Sequence, residues 1–216
     1  MAPKSLIDEY NNKENLDIRL VVDNGEAFGG LRKSYGMFTG VRNYIGLIES
    51  TTDPVYLEKL GYYGELLILH ATSLGLGTCW VGGTFHRASC PFDLAQGERV
   101  NCVITVGRVQ GQLSNREKLI YKLTHRKSKS PEQMYTSDAP VPDWFLSGME
   151  AVERAPSAVN RQPVMFTCKD GVVTSSVEDI MGEGLAIDLG IAKLHFELGV
   201  GGGAWEFGNG ANFMKS

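Results

Sequence analysis

Four side chains able to grip a ligand fall within six residues of one another: Ser157, Asn160, Arg161 and Gln162, in the run Arg154-Ala-Pro-Ser-Ala-Val-Asn-Arg-Gln-Pro163. Pro156 and Pro163 bracket them, and a proline at either end fixes φ and stiffens what lies between. A hydroxyl, two amides and a guanidinium on one short loop suit a polar heterocycle or a phosphate. The plainer reading is a turn ahead of a strand, with the serine and asparagine spent on their own backbone.

A second candidate is made of backbone. Gly75-Leu-Gly-Thr-Cys-Trp-Val-Gly-Gly83 either closes a helix and turns, or lets the main chain approach a flat ligand that side chains would keep away. It lacks the G-x-G-x-x-G spacing and follows a helix instead of a strand, so a Rossmann dinucleotide site is rejected. No G-x-x-x-x-G-K-[ST] run occurs, and nucleotide-triphosphate hydrolysis has no support. Cys79, His86 and Cys90 match no common zinc spacing, and no metal is expected. Cys79 follows a helix C-terminus, whose dipole raises a thiol pKa and makes a poor nucleophile. His70 and His195 fall inside helical patterns as packing residues, and His125 lies in a basic connection. With no G-x-S-x-G or Ser-His-Asp signature, hydrolysis is unsupported.

The elements that must position these residues are readable from periodicity. Leu60, Gly64, Leu67, Ala71 and Leu74 recur at helical steps and predict a central helix closed at Leu74-Gly-Leu-Gly-Thr78. Ile187, Ile191, Leu194 and Leu198 predict a second. Val41–Ile48, Cys79–Val81, Asn101–Val106 and Val164–Cys168 read as strands, the last followed by the turn Lys169-Asp-Gly171. Trp144–Arg154 reads as a short amphipathic helix. Residues 111–142 are a polar connection whose Lys118, Lys122, Arg126, Lys127 and Lys129 read as a solvated face.

The two long helices resemble each other. Leu74-Gly-Leu-Gly77 ends one and Leu198-Gly-Val-Gly201 the other, at an offset of 124; Tyr63 then falls on Ile187 and Leu67 on Ile191. A reversed basic-amide pair, Arg42-Asn43 and Asn160-Arg161, precedes each. The weak repeat predicts an internal duplication, with a first half over residues 1–110, a connection over 111–143 and a second half over 144–216, packed as one unit.

The 216-residue chain is 43% hydrophobic and long enough to bury a core without a disulfide or metal staple. A net charge of −4 argues against nucleic acid as a partner. No apolar run is long enough to span a membrane, and no signal-peptide pattern opens the chain. The four cysteines form no CxxC pair, which predicts free thiols and a cytoplasmic location. The 26 glycines follow no collagen-like or linker pattern.

With these residues in view, the chain resembles the FMN-dependent nitroreductases. Ala155–Pro163 with Phe166 is similar to that family's S-x-x-N-x-Q-P segment. Gly64–Gly82 is similar to its central helix and flavin-facing glycine turn, and Asp188-Leu-Gly-Ile-Ala192 with His195-Phe-Glu-Leu198 to the C-terminal helix of the branch that carries two nitroreductase-like halves in one chain. The resemblance covers about residues 30–110 and 144–200. It implies an α+β fold, with a central mixed sheet, long buried helices and a pseudo-twofold duplication. It also implies FMN as cofactor, held by Ser157, Asn160, Arg161, Gln162, Pro163, Gly75, Gly77, Thr78, Trp80 and Gly82 within one chain, and NAD(P)H as co-substrate. The implied reaction is hydride transfer through the flavin to a small nitroaromatic, quinone or similar acceptor, with no indispensable side-chain acid or base. Family members are commonly dimers, so either a monomeric pseudo-dimer or a homodimer follows. The alternatives are a flavin-binding protein without turnover, or flavin-modifying chemistry of the dimethylbenzimidazole synthase type. In one respect the chain departs from the family: no Arg-x-Ser-x-Arg element precedes Arg32, as if the chain began some 25 residues late. Arg42 and Arg161 are the candidate replacements for the phosphate-holding arginines.

Overall fold

A computed structural model describes residues 3–29, 40–108, 128–182 and 184–216. His125 and the connection's Lys118, Lys122, Arg126 and Lys127 lie outside these residues, as do positions 30–39. The chain divides into two compact units, Met1–Thr52 with Leu66–Thr124, and Asp53–Glu65 with His125–Ser216. Residues 53–65, expected in the first half, group with the second.

The first unit holds helix α1 (Pro3–Glu14) and strands β1 (Ile18–Val21), β2 (Asn43–Glu49), β3 (Gly77–Val81) and β4 (Arg99–Gly107). Its sheet runs β1-β2-β4-β3, all neighbours antiparallel. Helix α2 (Pro54–Ser73) connects β2 to β3, starting in the second unit and finishing in the first. The rest of the second unit is β5 (Tyr135–Ser137), α3 (Asp143–Glu153), β6 (Met165–Lys169), β7 (Val172–Ser176), α4 (Leu185–Val200), β8 (Ala204–Trp205) and β9 (Asn212–Met214). Its sheet runs β5-β6-β7-β9-β8, with β5 parallel to β6 and the other neighbours antiparallel.

Both sheets share one order of connection. An antiparallel pair (β1 with β2, β6 with β7) leads into a long helix. An edge strand follows (β3, β8), and then a strand that returns between that edge and the earlier pair (β4, β9).

The predicted strands and helices are present, with differences at their ends. The hairpin between β6 and β7 turns through Asp170 and Gly171, at φ +50° and +77°, the left-handed pair that a tight two-residue turn requires. Both long helices close on a left-handed glycine, Gly75 and Gly201; after α2 the Leu76 N–H donates back to the Ala71 carbonyl, as a glycine C-cap allows. Leu74 and Leu198, expected on the buried stripes, are exposed: one falls past the end of α2 and the other in the last turn of α4. The opening segment forms α1, which buries Ile7.

The core of the first unit gathers Phe28, Tyr44, Ile48, Phe85 and Val103, with Phe28 edge-on to Tyr44 at 5.5 Å. In the second unit Phe196 of α4 is the hub. Its ring stacks on Phe166 at 5.1 Å and meets Phe145, Trp205 and Phe213 edge-on.

Two glycines bring the start of α2 and α4 into backbone contact within the second unit. A Cβ on Gly190 would lie 1.9 Å from the Glu58 carbonyl oxygen, and one on Gly61 would lie 2.2 Å from that of Ile187. Beside this crossing Lys193 and Glu58, both fully buried, form an ion pair. The Lys193 ammonium also donates to the carbonyls of Glu206 and Gly208, and the Gly208 N–H donates to Glu58. Burial pushes the Glu58 carboxyl up and the Lys193 ammonium down, and the charge of each partner opposes the other's shift. His195 and Glu65 pair farther along the same two helices at 3.0 Å.

Two outcomes follow. Gly190→Ala drives a methyl into backbone that cannot move aside and is expected to cost about 3 kcal/mol or more in urea unfolding. Glu58→Gln leaves a buried ammonium uncompensated and is expected to cost ~3 kcal/mol. A Gly190→Ala protein as stable as wild type would show that the helices do not meet through backbone.

Candidate functional site

The sequence-predicted residues divide between the units. Arg42, Gly75, Gly77, Thr78, Trp80 and Gly82 lie in the first; Ser157, Asn160, Arg161, Gln162 and Pro163 lie in the second.

In the first unit, residues 77–81 are strand β3, where Gly77, Thr78 and Trp80 pair with Gly107, Val106 and Ile104. Among the described residues β3 is an edge of its sheet, with no strand paired to one side of its backbone. Among the described residues, no heavy atom lies within 4 Å of where a Cβ on Gly75, Gly82 or Gly83 would sit. Internal packing therefore does not demand glycine at these three positions; Gly75 needs it for its left-handed backbone, and the space beside the other two is open. Arg42 is exposed and its Nε donates to Asp23 at 2.6 Å. Exposed pairs of this kind are weak, and Arg42 can exchange Asp23 for another anion at little cost.

In the second unit the loop of residues 157–163 is held under strain. Val159, Asn160 and Gln162 have φ of +48°, +51° and +46°. Asparagine tolerates that region, but a β-branched valine there is a genuine outlier, and Val159 is also 58% exposed. No burial of its side chain offsets the strain. The loop's other residues supply the restraint. Ser157 Oγ accepts the Gln162 N–H at 2.8 Å. The Gln162 amide accepts from Lys129 N at 2.7 Å and donates to the Glu153 carbonyl at 3.0 Å, while the Lys129 ammonium holds the Gln162 carbonyl at 2.8 Å. Gln162 is buried at 5% exposure, its side chain spent on the protein. Asn160 reaches toward Ser128 at 3.5 Å, and Arg161 is exposed.

The loop also has a carboxylate beneath it that the sequence reading did not single out. Asp188, in the first turn of α4, is 4% exposed, and its two oxygens accept the Ala158 N–H at 3.0 and 3.3 Å. Burial raises its pKa to about 6, although the Ala158 N–H and the Arg161 charge pull the other way. The available signal was a carboxylate inside the apolar run Ala186–Ala192. A cavity of about 10 Å³ lies between Asp188, Pro156, Ser157, Gln162 and Pro163, room for one water and none for a ring. Ser157 and Gln162 are thus engaged below the loop, and at its tip Val159 and Arg161 are exposed.

For a flavin mononucleotide this donor set fits at the tip. An amide and a guanidinium can match ring carbonyls, ring nitrogens or phosphate oxygens, while the Ser157 hydroxyl and the Gln162 side chain are engaged within the protein. Among the described residues, no group of three histidines, cysteines or acids is placed to hold a metal, and none of the four cysteines is in a disulfide. None of the described helices is long and apolar enough to cross a membrane.

The fold and the loop motif point to one family, whose model, described as "Putative TM nitroreductase", matches residues 3–200. The chain belongs to that nitroreductase family. A crystal structure of a protein described as a putative nitroreductase from Thermotoga maritima MSB8 is similar to it at 21% identity and a TM-score of 0.61, covering 99% of this chain and 83% of that one. This likeness shows the fold, a nitroreductase-like α+β arrangement. No curated protein matches the chain. Membership points to an oxidoreductase of the nitroreductase type.

The buried Asp188 carries a stability consequence with a definite sign. Its folded pKa lies above the unfolded value, so the native state holds the proton more tightly and loses stability as pH rises from about 4 to about 6. Above that window the ionised carboxylate costs ~3 kcal/mol, at 1.36 kcal/mol per unit. Asp188→Asn is therefore expected to be more stable than wild type in urea at pH 7.5, with the gain gone at pH 4. A variant less stable than wild type at pH 7.5 contradicts this account of the carboxylate.

Proposed function

We propose that the chain is an FMN-dependent oxidoreductase that uses NAD(P)H to reduce a nitroaromatic, quinone or similar small acceptor. The observation that carries the reading is the strained tip Val159-Asn160-Arg161, with Val159 and Arg161 exposed, braced from within by Ser157, Gln162 and Asp188. A protein holds an exposed valine in a left-handed conformation against a cost of roughly 1–3 kcal/mol only where its surroundings over-determine it, and such positions cluster at ligand clamps.

In this reading the chain's residues bind and orient. Asn160 supplies an amide that can donate and accept at a ring edge, and Arg161 a guanidinium for a phosphate or carbonyl oxygen. Gly75, Gly82 and Gly83 leave room beside the backbone at and near the β3 edge, a surface suited to a flat ligand. Arg42 is a second phosphate candidate once it exchanges Asp23. The redox chemistry, hydride acceptance at N5 and delivery to the acceptor, is supplied by the flavin when bound. The shared strand order of the two sheets supports reading the chain as two related halves. We further propose that the protein works in the cytoplasm, either as that single-chain pseudo-dimer or as a homodimer of it.

Purified protein titrated with FMN is expected to show a bound-flavin visible spectrum, to release intact FMN on acid treatment, and to consume NADPH or NADH with a nitroaromatic or quinone. Binding without nicotinamide consumption points instead to a flavin-binding protein without turnover. Arg161→Ala is expected to weaken FMN binding tenfold to a hundredfold, as loss of a charge-assisted bond of about 1.5–3 kcal/mol implies. A protein that stays colourless with excess FMN contradicts the proposal.

A further inference from the structure

Asp188 presents a conflict that the proposed flavin site resolves. An ionised carboxylate buried inside an apolar helix face disfavours the native state at neutral pH, and Asp188 lies among the apolar side chains of Ala192 and Val164. What the carboxylate does is geometric. Both oxygens aim at the one backbone N–H of Ala158, the residue that opens the turn in which Val159 and Asn160 enter the left-handed region. The anchor sits on helix α4, two residues before Gly190, whose contact with the Glu58 backbone fixes the helix. The strained turn is therefore tied to one of the least movable points in the second unit.

We propose, building on the flavin reading of this loop, that ionised Asp188 is the positioning residue that holds Ala158–Arg161 in the flavin-binding shape, and that flavin affinity falls when this carboxylate takes up a proton. A charge-assisted bond from the N–H to a carboxylate is roughly twice as strong as one to a neutral acid or amide. Protonation also removes the charge that draws on Arg161. With the anchor weakened, the left-handed residues relax and the tip loses its preorganisation. Among the described residues, Arg161 is the charged side chain whose field acts on Asp188. Lys129 is engaged with the Gln162 carbonyl, and Met134, Val152, Ala155, Val164 and Ala192 on the cavity wall are uncharged. Asp188 touches no ligand in this account; it acts through the loop.

The test uses the full chain, wild type and Asp188→Asn, with two readouts across pH 5 to 8. In ¹⁵N-labelled protein without flavin, the Ala158 amide resonance is expected to titrate with a midpoint near 6 in wild type and to be flat in the variant. In FMN titrations, wild-type Kd is expected to rise about tenfold on going from pH 7.5 to 5, whereas Asp188→Asn binds about tenfold more weakly at pH 7.5 and shows no such dependence, as loss of one charge-assisted bond implies. A brace with no role in binding would move stability and affinity together; here the variant is expected to gain stability and lose affinity. Identical pH profiles for the two proteins, or an Ala158 amide that ignores pH, overturn the proposal. If the Ala158 amide follows Asp188 but neither protein binds FMN at any pH, the anchor stands and the flavin reading of the site is what fails.

Discussion

The backbone contact between the start of α2 and α4 is the constraint on which the second unit depends. With Gly190 against the Glu58 carbonyl and Gly61 against that of Ile187, the two helices lie closer than side chains would permit. Their relative position is then set by main chain, which does not repack. Each polar group near the crossing inherits that fixity. Three residues beyond Gly190, Lys193 meets Glu58 and gathers the carbonyls of residues 206 and 208, so the segment leading into β9 hangs on the ion pair. Two residues before Gly190, Asp188 meets Ala158 and so places the loop.

This arrangement gives the loop a division of labour. Ser157 and Gln162 turn inward and satisfy backbone groups, and the prolines limit what the ends can do. The strain they contain appears at Val159 and Asn160. A binding loop that must present an amide and a guanidinium without first ordering them benefits from this, since the entropy of ordering is already met in folding. In the proposed reading, the stabilising and ligand-facing roles fall on different parts of one short segment.

Much of this was legible in the sequence. Helical periodicity located α2 and α4, glycine placement located their ends, and Asp170-Gly171 located a hairpin. What escaped has physical reasons. α1 has too few apolar residues to show a stripe, and β8 and β9 are too short for a period to register. Lys193, Glu58 and Asp188 are charged residues inside buried helix faces; a sequence reading assigns such residues to solvent unless their partners are known, and those partners lie up to 150 positions away, as Glu58 and Gly208 do. The loop motif was found, but spacing could not tell an inward glutamine from an outward asparagine. That distinction rests on backbone dihedrals which the residue types did not announce, Val159 least of all.

The claim that the loop's tip meets the flavin while its base holds the loop is tested most directly by titrating FMN into ¹⁵N-labelled protein at pH 7.5 and following individual resonances. The account predicts that the backbone amides of Val159, Asn160 and Arg161 shift to saturation while the side-chain amide of Gln162, held by Lys129 and Glu153, stays in place. Saturable flavin binding that leaves residues 159–161 unmoved, or that shifts the Gln162 side chain instead, would contradict it.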